Sequence, residues 1–135
     1  MSFLLDTNVV SEIRKKSPNH GVEKWFASAA PSELYLSALV IGEIRQGIER
    51  LAPRNPEQAS VFERWLGELT EVYRDRIAPI TPEVADVWGR LNVPRTLPVV
   101  DVLLAATALV RGWTLVTRNV DDVDGTGVRV VNPWL

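Results

Sequence analysis

Four acidic residues occupy positions where a lone carboxylate would be costly or unusual: Asp6, Glu43, Asp101 and Asp122. Asp6 directly follows a short apolar run, and Asp101 is the only charged residue between positions 99 and 110. An unpaired carboxylate in so apolar a segment costs several kcal/mol. We therefore expect a cationic partner to meet Asp101.

Each of these acids also has an ordinary structural explanation. Asp6 is a good helix N-cap, and Asp101 suits the first turn of a helix, where the dipole favours negative charge. Glu43 lies at the boundary of its helix's apolar stripe, where its stem can pack on the core. Asp122 lies in a polar loop of the kind that forms surface turns. Only convergence of the four would make them a site.

The patterning of apolar residues predicts the elements that would position these acids. Strands are predicted at residues 3–5, 34–36, 77–80, 114–117 and 128–131. Helices are predicted after Asp6, at residues 21–30, from Ser37 to about residue 51, beyond Pro56, from Pro82 after the N-cap Thr81, and at residues 99–110 before Gly112. A loop is predicted between residues 94 and 98. Strands that alternate with helices predict a three-layer α/β/α sandwich whose central, mainly parallel sheet has about five short strands. Ligands bind such folds beyond the carboxyl ends of the strands.

Composition limits both the architecture and the chemistry. The chain has 135 residues, 46% of them apolar, which predicts one domain spanning residues 1–135. It has no cysteine and one histidine, His20, so disulfides, Cys nucleophiles and thiolate or multi-histidine metal sites are excluded. No apolar run reaches the roughly 18 residues of a membrane span. We expect a cytoplasmic protein with no membrane contact, in which any metal is held by oxygen.

Carboxylates a few ångströms apart repel one another unless a divalent cation neutralises them. An all-oxygen cluster selects Mg²⁺ or Mn²⁺, which polarises a phosphoryl oxygen and activates water, so the predicted reaction is phosphodiester hydrolysis. The net charge is −2, but it becomes positive when the four acids are set aside. Most cations are arginines, which suit phosphate oxygens, and several flank the predicted site: residues 14–16, Arg45, Arg50 and Arg118.

Five short motifs in this order resemble the PIN-domain ribonucleases, specifically the VapC and FitB type toxins of bacterial toxin–antitoxin pairs. They are residues 4–12 (LLDTNVVSE), 36–38 with 42–44, 100–101 with 104–108, 115–119 (LVTRN) and 132–134 (NPW). The resemblance implies a single PIN-like nuclease domain, Mg²⁺- or Mn²⁺-dependent cleavage of RNA, and a homodimer. It also implies inhibition by a small VapB- or FitA-like antitoxin that binds operator DNA.

By this resemblance Asp6, Glu43 and Asp101 would bind the metal, with Thr7 and Asn8 shaping the adjacent loop. Many relatives carry an aspartate two residues after the last threonine of the strand, whereas this chain has Asn119 there. Either Asn119 or Asp122 then fills the fourth catalytic position, and the number of metal ions, one or two, stays open.

Two other functions remain as alternatives. Haloacid-dehalogenase-like phosphatases also begin with an aspartate at a strand end, but they need a second aspartate two residues later, where this chain has Asn8. A non-catalytic PIN-like module would keep the fold and bind a partner. The presence of Asp6, Glu43 and Asp101 together favours the enzyme over such a module.

Overall fold

A computed structural model of the protein describes residues 1–93 and 97–135. These residues contain five strands and six α-helices: β1 (Phe3–Leu5), α1 (Thr7–Ile13), α2 (His20–Ser28), β2 (Leu34–Ser37), α3 (Ala38–Leu51), α4 (Pro56–Val72), β3 (Ile77–Ala78), α5 (Pro82–Leu91), α6 (Val99–Arg111), β4 (Thr114–Val116) and β5 (Val130–Val131). The predicted alternation of strands and helices is confirmed. Residues 94–96 of the predicted loop lie outside the described residues.

The strands form one parallel sheet in the order β3-β2-β1-β4-β5, so β1 lies at its centre. Leu5, the last residue of β1, pairs with Leu36 of β2 and with Val116 of β4. Neighbouring parallel strands end at the same edge of a sheet. The residues that follow β1 and β4, Asp6 and Thr117, are therefore neighbours although 111 positions separate them.

Helices cover both faces of the sheet, which confirms the three-layer architecture. On one face α1 to α4 pack over Leu5, Leu36 and Val116. On the other, α6 contributes Leu104, Ala105 and Ala108 to a core with Leu4 and Leu115 of the sheet, and α5 packs against α6. Because β1 is buried from both sides, the residue after it begins in a dry environment.

Local sequence signals set the helix ends near the acids. The side chain of Ser37 accepts the backbone N–H of Leu39 at the start of α3, and that of Thr81 accepts the N–H of Val84 at the start of α5. Gly112 ends α6 in the left-handed region, at φ 70°, where a side chain would be strained. These caps fix which turn of α3 carries Glu43 and which turn of α6 carries Asp101.

Some predicted boundaries were wrong. The outer strands β3 and β5 have two residues each, so Ile80 and Val128 lie outside them, and α2 ends at Ser28. An edge strand has a neighbour on one side only, and at β5 the glycines 125 and 127, both at φ 84°, form a turn just before it. Residues 120–123 form a short 3-10 helix. Among the described residues, no helix is long and apolar enough to cross a membrane.

Candidate active site

A cleft of about 530 Å³ opens beyond the carboxyl end of β1. Its walls come from α1, α3, α6 and the segment after β4, and its lining residues are Asp6, Thr7, Asn8, Glu43, residues 98–101 and Asn119. The structure therefore brings Asp6, Glu43, Asp101 and Asn119 to one cleft, as convergence of the motifs predicts. Asp122 is not among the lining residues, although its charge acts on Asp6 and Asp101.

Asp6 is the most enclosed of these acids, with only 4% of its surface exposed. Its Oδ1 accepts the backbone N–H of Thr7 at 2.6 Å, and its Oδ2 accepts the hydroxyl of Thr117 at 2.6 Å. Burial raises the pKa of Asp6 above its ordinary value, and these two hydrogen bonds oppose the increase. The carboxylate is thus held in one orientation by donors from both neighbouring elements, while it also caps α1.

Glu43 lies in the second turn of α3, next to Ile44, which is buried in the core. The side chain of Glu43 is half-buried, and its Oε1 accepts the hydroxyl of Thr7 at 2.6 Å. The helix register places Glu43 beside the core stripe and facing α1. A single residue, Thr7, therefore contacts both Glu43 and Asp6.

Asp101 lies in the first turn of α6 and is half-buried. Burial, followed by the charges of Asp6 and Asp122, raises the pKa of Asp101 to about 6. A hydrogen bond from the side chain of Asn119 partly opposes this increase. Among the described residues no cation forms an ion pair with Asp101, so the expected cationic partner is replaced there by the amide of Asn119.

The two candidates for the fourth position belong to one turn. Asn119 donates its backbone N–H to the hydroxyl oxygen of Thr117 at 3.0 Å, and its carbonyl oxygen accepts the N–H of Asp122 at 3.1 Å. Asn119 lines the cleft, whereas Asp122 lies in the 3-10 helix and is not among the lining residues. The neutral residue thus lines the cleft with the other acids, while the charge of Asp122 still raises the pKa values of Asp6 and Asp101.

Asn8 contributes an amide to the floor of the cleft. Its Nδ2 lies 3.5 Å from Oδ2 of Asp6, which is a long contact for a hydrogen bond. Its Oδ1 is buried and has no hydrogen-bond partner among the described residues. A buried carbonyl oxygen without a partner indicates that a further hydrogen-bond donor or a cation can bind beside Asp6.

The chemistry of the donors fits a hard divalent cation, because carboxylate and amide oxygens crowd a cleft where burial and mutual repulsion raise the pKa values of Asp6 and Asp101. In the part of the chain that is described, however, no three acidic or histidine side chains are spaced to surround one ion. Mg²⁺ typically binds only one or two protein carboxylates, and water and phosphate oxygens complete its coordination.

The sequence did not predict that two threonine hydroxyl groups hold the acids: Thr7 was expected only to shape the adjacent loop, and Thr117 only to end a strand. Thr117 is 1% exposed and donates to Asp6, and Thr7 donates to Glu43. The only sequence signal for Thr117 is a threonine at the end of an apolar strand and before a polar loop. Since the partner of Thr117 is 111 positions away, only the tertiary structure pairs them.

A second, apolar cavity of about 220 Å³ adjoins the cleft. Ile44, Ile48, Phe62 and Trp65 are among its lining residues, and it shares Thr7 and Glu43 with the cleft. We call this cavity the apolar groove. An acidic cleft that continues into an apolar groove can receive a ligand or protein segment with both polar and apolar groups.

The sequence model of the PIN domain matches residues 3–124, a range that contains all five acids and amides that line the cleft. Three curated relatives align over 98% of this chain. They are plasmid stability protein StbB of Pseudomonas syringae (32% identical, 98% of its length), toxin FitB of Neisseria gonorrhoeae (31%, 98%) and VapC ribonuclease Y4jK of Sinorhizobium fredii (29%, 97%).

Solved structures show the same likeness. The crystal structure of FitAcB from Neisseria gonorrhoeae superposes with a TM-score of 0.88 at 30% identity and covers 98% of both chains. A toxin–antitoxin complex from Klebsiella pneumoniae superposes with a TM-score of 0.75 over 98% of both chains. At 21% identity, this second likeness shows a shared fold alone.

Proposed function

Because the chain belongs to the PIN domain family, we propose that it is the toxin of a toxin–antitoxin pair and hydrolyses RNA phosphodiester bonds at the acidic cleft. The family resemblance predicted from the five motifs is confirmed by the match over residues 3–124. A curated relative aligned over nearly the whole chain is named a ribonuclease, and another is named a toxin. A cytoplasmic location belongs to the same proposal, because RNA and a protein antitoxin would be available there.

The observation that carries this proposal is the convergence of three acids on one cleft without a neutralising cation. Asp6 follows β1, Glu43 lies in α3 and Asp101 lies in α6, yet all three line the same cleft. None of them forms an ion pair within the described part of the chain. Since burial of unpaired acids costs folding free energy, a purely structural role does not explain their arrangement.

Mg²⁺ or Mn²⁺ would be held by Asp6 and Asp101, with Glu43 and Asn119 at the same cleft and with the charge of Asp122 acting on both aspartates. When bound, such an ion polarises the phosphoryl oxygen and makes water a stronger nucleophile at neutral pH. The protein prepares this site through its own donors. The Thr7 N–H and the Thr117 hydroxyl fix both oxygens of Asp6, and the Asn119 amide holds Asp101.

Two stacked arginines support an RNA substrate: Arg14, which lies over a ring that lines the apolar groove, and Arg118, which directly precedes the cleft residue Asn119. The guanidinium carbon of Arg14 lies 4.2 Å from the ring centre of Phe62, and that of Arg118 lies 5.1 Å from the ring centre of Trp134. In the described part of the chain, neither arginine forms an ion pair. Arginines fixed on aromatic rings keep their N–H groups available for phosphate oxygens, as a nucleic-acid backbone requires.

The apolar groove supports an antitoxin partner. A VapB- or FitA-like segment with apolar side chains would fill the groove, and a cationic side chain would enter the cleft, where the carboxylates lack a positive neighbour among the described residues. Such a segment would exclude RNA by occupying the same cavity. A homodimer of this chain, also implied by the family resemblance, belongs to the same proposal.

The test is cleavage of a labelled single-stranded RNA by the purified protein. We expect cleavage with Mn²⁺ or Mg²⁺, none in excess EDTA, and none by Asp101→Asn, which removes a charge but little volume. The matched control is Asp75→Asn, because Asp75 is exposed and does not line the cleft. If wild-type protein leaves RNAs of varied sequence and structure intact with both metals, or if Asp101→Asn cleaves normally, the proposal is wrong.

A further inference from the structure

Thr7 is the only described residue whose hydrogen bonds reach two of the cleft acids. Its backbone N–H donates to Oδ1 of Asp6 at 2.6 Å, and its hydroxyl donates to Oε1 of Glu43 at 2.6 Å. We propose, on the basis of the function proposed above, that Thr7 is a positioning residue. Its hydroxyl holds the Glu43 carboxylate toward the cleft so that a divalent cation can use it.

Glu43 needs such a holder because nothing else described fixes its carboxylate. It is half-buried, and among the described residues it forms no ion pair and accepts a side-chain hydrogen bond from Thr7 alone. A glutamate side chain has several rotatable bonds and loses much freedom when it is fixed. The 2.6 Å bond has the length of a strong hydroxyl-to-carboxylate interaction, so it selects one conformer from many.

The backbone explains why Thr7 can hold Glu43 without moving itself. Thr7 is the first residue of α1, and Asp6 caps that helix by accepting the Thr7 N–H. Threonine is β-branched, so few χ1 rotamers are available to it and its hydroxyl points in a defined direction. The Thr7 hydroxyl is therefore fixed relative to Asp6, and through it Glu43 is fixed relative to Asp6 as well.

The pair also separates the two cavities. Thr7 and Glu43 are the residues that line both the acidic cleft and the apolar groove. Without the hydroxyl, the Glu43 carboxylate can turn away from Asp6, toward the groove or toward solvent. The loss would lower metal affinity even though no residue of the cleft has lost its charge.

The test is Mn²⁺ binding by isothermal titration calorimetry, without RNA, on wild-type protein, four variants of the Thr7–Glu43 pair and one control variant. Thr7→Val removes the hydroxyl and keeps the shape, whereas Thr7→Ser keeps the hydroxyl. Glu43→Ala removes the carboxylate, and the fourth variant combines Thr7→Val with Glu43→Ala. Thr70→Val is the matched control, because the Thr70 hydroxyl bonds only the carbonyl of Leu66 within α4.

We expect Thr7→Val to weaken Mn²⁺ binding about tenfold and Thr7→Ser to stay within about twofold of wild type, since groups that orient metal ligands have effects of this size. The double variant should bind no more weakly than Glu43→Ala alone, because Thr7 acts through Glu43. Thr70→Val should bind like wild type. Thermal unfolding of each variant checks that it is folded, and Thr7→Ala replaces Thr7→Val if the latter is not.

Three results would overturn the inference. The first is unchanged Mn²⁺ affinity in a folded Thr7→Val variant, and the second is a wild-type protein that binds no Mn²⁺. The third is a double variant in which the losses of affinity from the two single variants multiply, because Thr7 would then act on the ion independently of Glu43. RNA cleavage is scored separately. If the variants show the expected pattern of Mn²⁺ binding but the wild-type protein cleaves no RNA, the proposed ribonuclease activity is wrong and the proposed role of Thr7 stands.

Discussion

Replacing Asp101 with asparagine should stabilise the metal-free protein while it removes the proposed activity. Burial and the charges of Asp6 and Asp122 raise the pKa of Asp101 from its ordinary value of 3.8 to about 6. The folded state therefore disfavours the ionised form more than the unfolded state does. Asp101→Asn eliminates this penalty, and the asparagine oxygen can still accept the hydrogen bond from Asn119.

The magnitude follows from the difference between the two pKa values. A change from 3.8 to about 6 corresponds to about 3 kcal/mol of folding free energy at neutral pH. Because Asp101 is only half-buried, solvent screening reduces this value to about 1 to 1.5 kcal/mol. We therefore expect Asp101→Asn to raise the free energy of unfolding by about that amount at about pH 7.5 in EDTA.

The pH dependence gives the sharper test. A carboxyl group whose pKa is higher in the folded state binds its proton more tightly there. Its destabilising effect is therefore absent at pH values below its ordinary pKa of 3.8 and grows as the pH rises toward 6. The advantage of Asp101→Asn should therefore shrink toward zero as the pH is lowered to about 4. With saturating Mn²⁺ the order should reverse, because only wild-type protein gains binding free energy.

The assay is urea unfolding followed by tryptophan fluorescence, at several pH values, with EDTA or with Mn²⁺. Asp75→Asn serves again as the control and should change stability by less than about 0.5 kcal/mol, as expected for an exposed position. A metal-free Asp101→Asn that is less stable than wild type at neutral pH, or a difference that does not depend on pH, would refute the reasoning from burial and repulsion.

Three further substitutions, one of them with a matched control, test a contact of the cleft and two helix glycines outside it. Thr117→Val should lower the free energy of unfolding in EDTA by about 1.5 to 3 kcal/mol, because it removes a hydrogen-bond donor from the buried carboxylate of Asp6. The matched control is Thr107→Val, which loses only a hydrogen bond within α6 and should lower the free energy of unfolding by less than about 1 kcal/mol in the same urea assay. Gly21→Ala should destabilise by about 1 to 3 kcal/mol, since its Cβ would overlap the carbonyl oxygen of Pro133. At Gly67 an added Cβ would have no atom within 4 Å, so Gly67→Ala should stabilise the protein through α4 by about 0.5 to 1 kcal/mol. Equal shifts of the thermal midpoint in the two glycine variants would contradict this account.

The elements near the cleft were the most predictable part of the fold. The bounds of β1 and α3 and the caps of α3 and α5 follow from local signals, because an apolar run or a capping side chain acts within a few residues. The outer strands were predicted too long, since pairing at a sheet edge depends on a neighbour that the local sequence does not specify. The meeting of Asp6 and Asp101 was predicted because one follows a strand and the other begins a buried helix, whereas Glu43 was expected to join them only from the family resemblance.

The arrangement inside the cleft was less predictable. The cation expected at Asp101 is replaced, among the described residues, by the amide of Asn119, and Asp122 is not among the residues that line the cleft. Their side chains are placed by the turn after β4, whose course depends on Thr117 and its bond to Asp6. Metal binding, and the part each acid takes in it, stay predictions.

The sequence by itself determined the alternation of strands and helices, the absence of sulfur and multi-histidine chemistry, and the family, because these depend on residue type and local spacing. The tertiary structure alone decided which donor meets which acid. Thr117 reaches Asp6 across two adjacent strands, and Thr7 reaches Glu43 between two helices. Hydrogen bonds act over about 3 Å, so residues far apart in the chain can form them only after the packed core has set the distance.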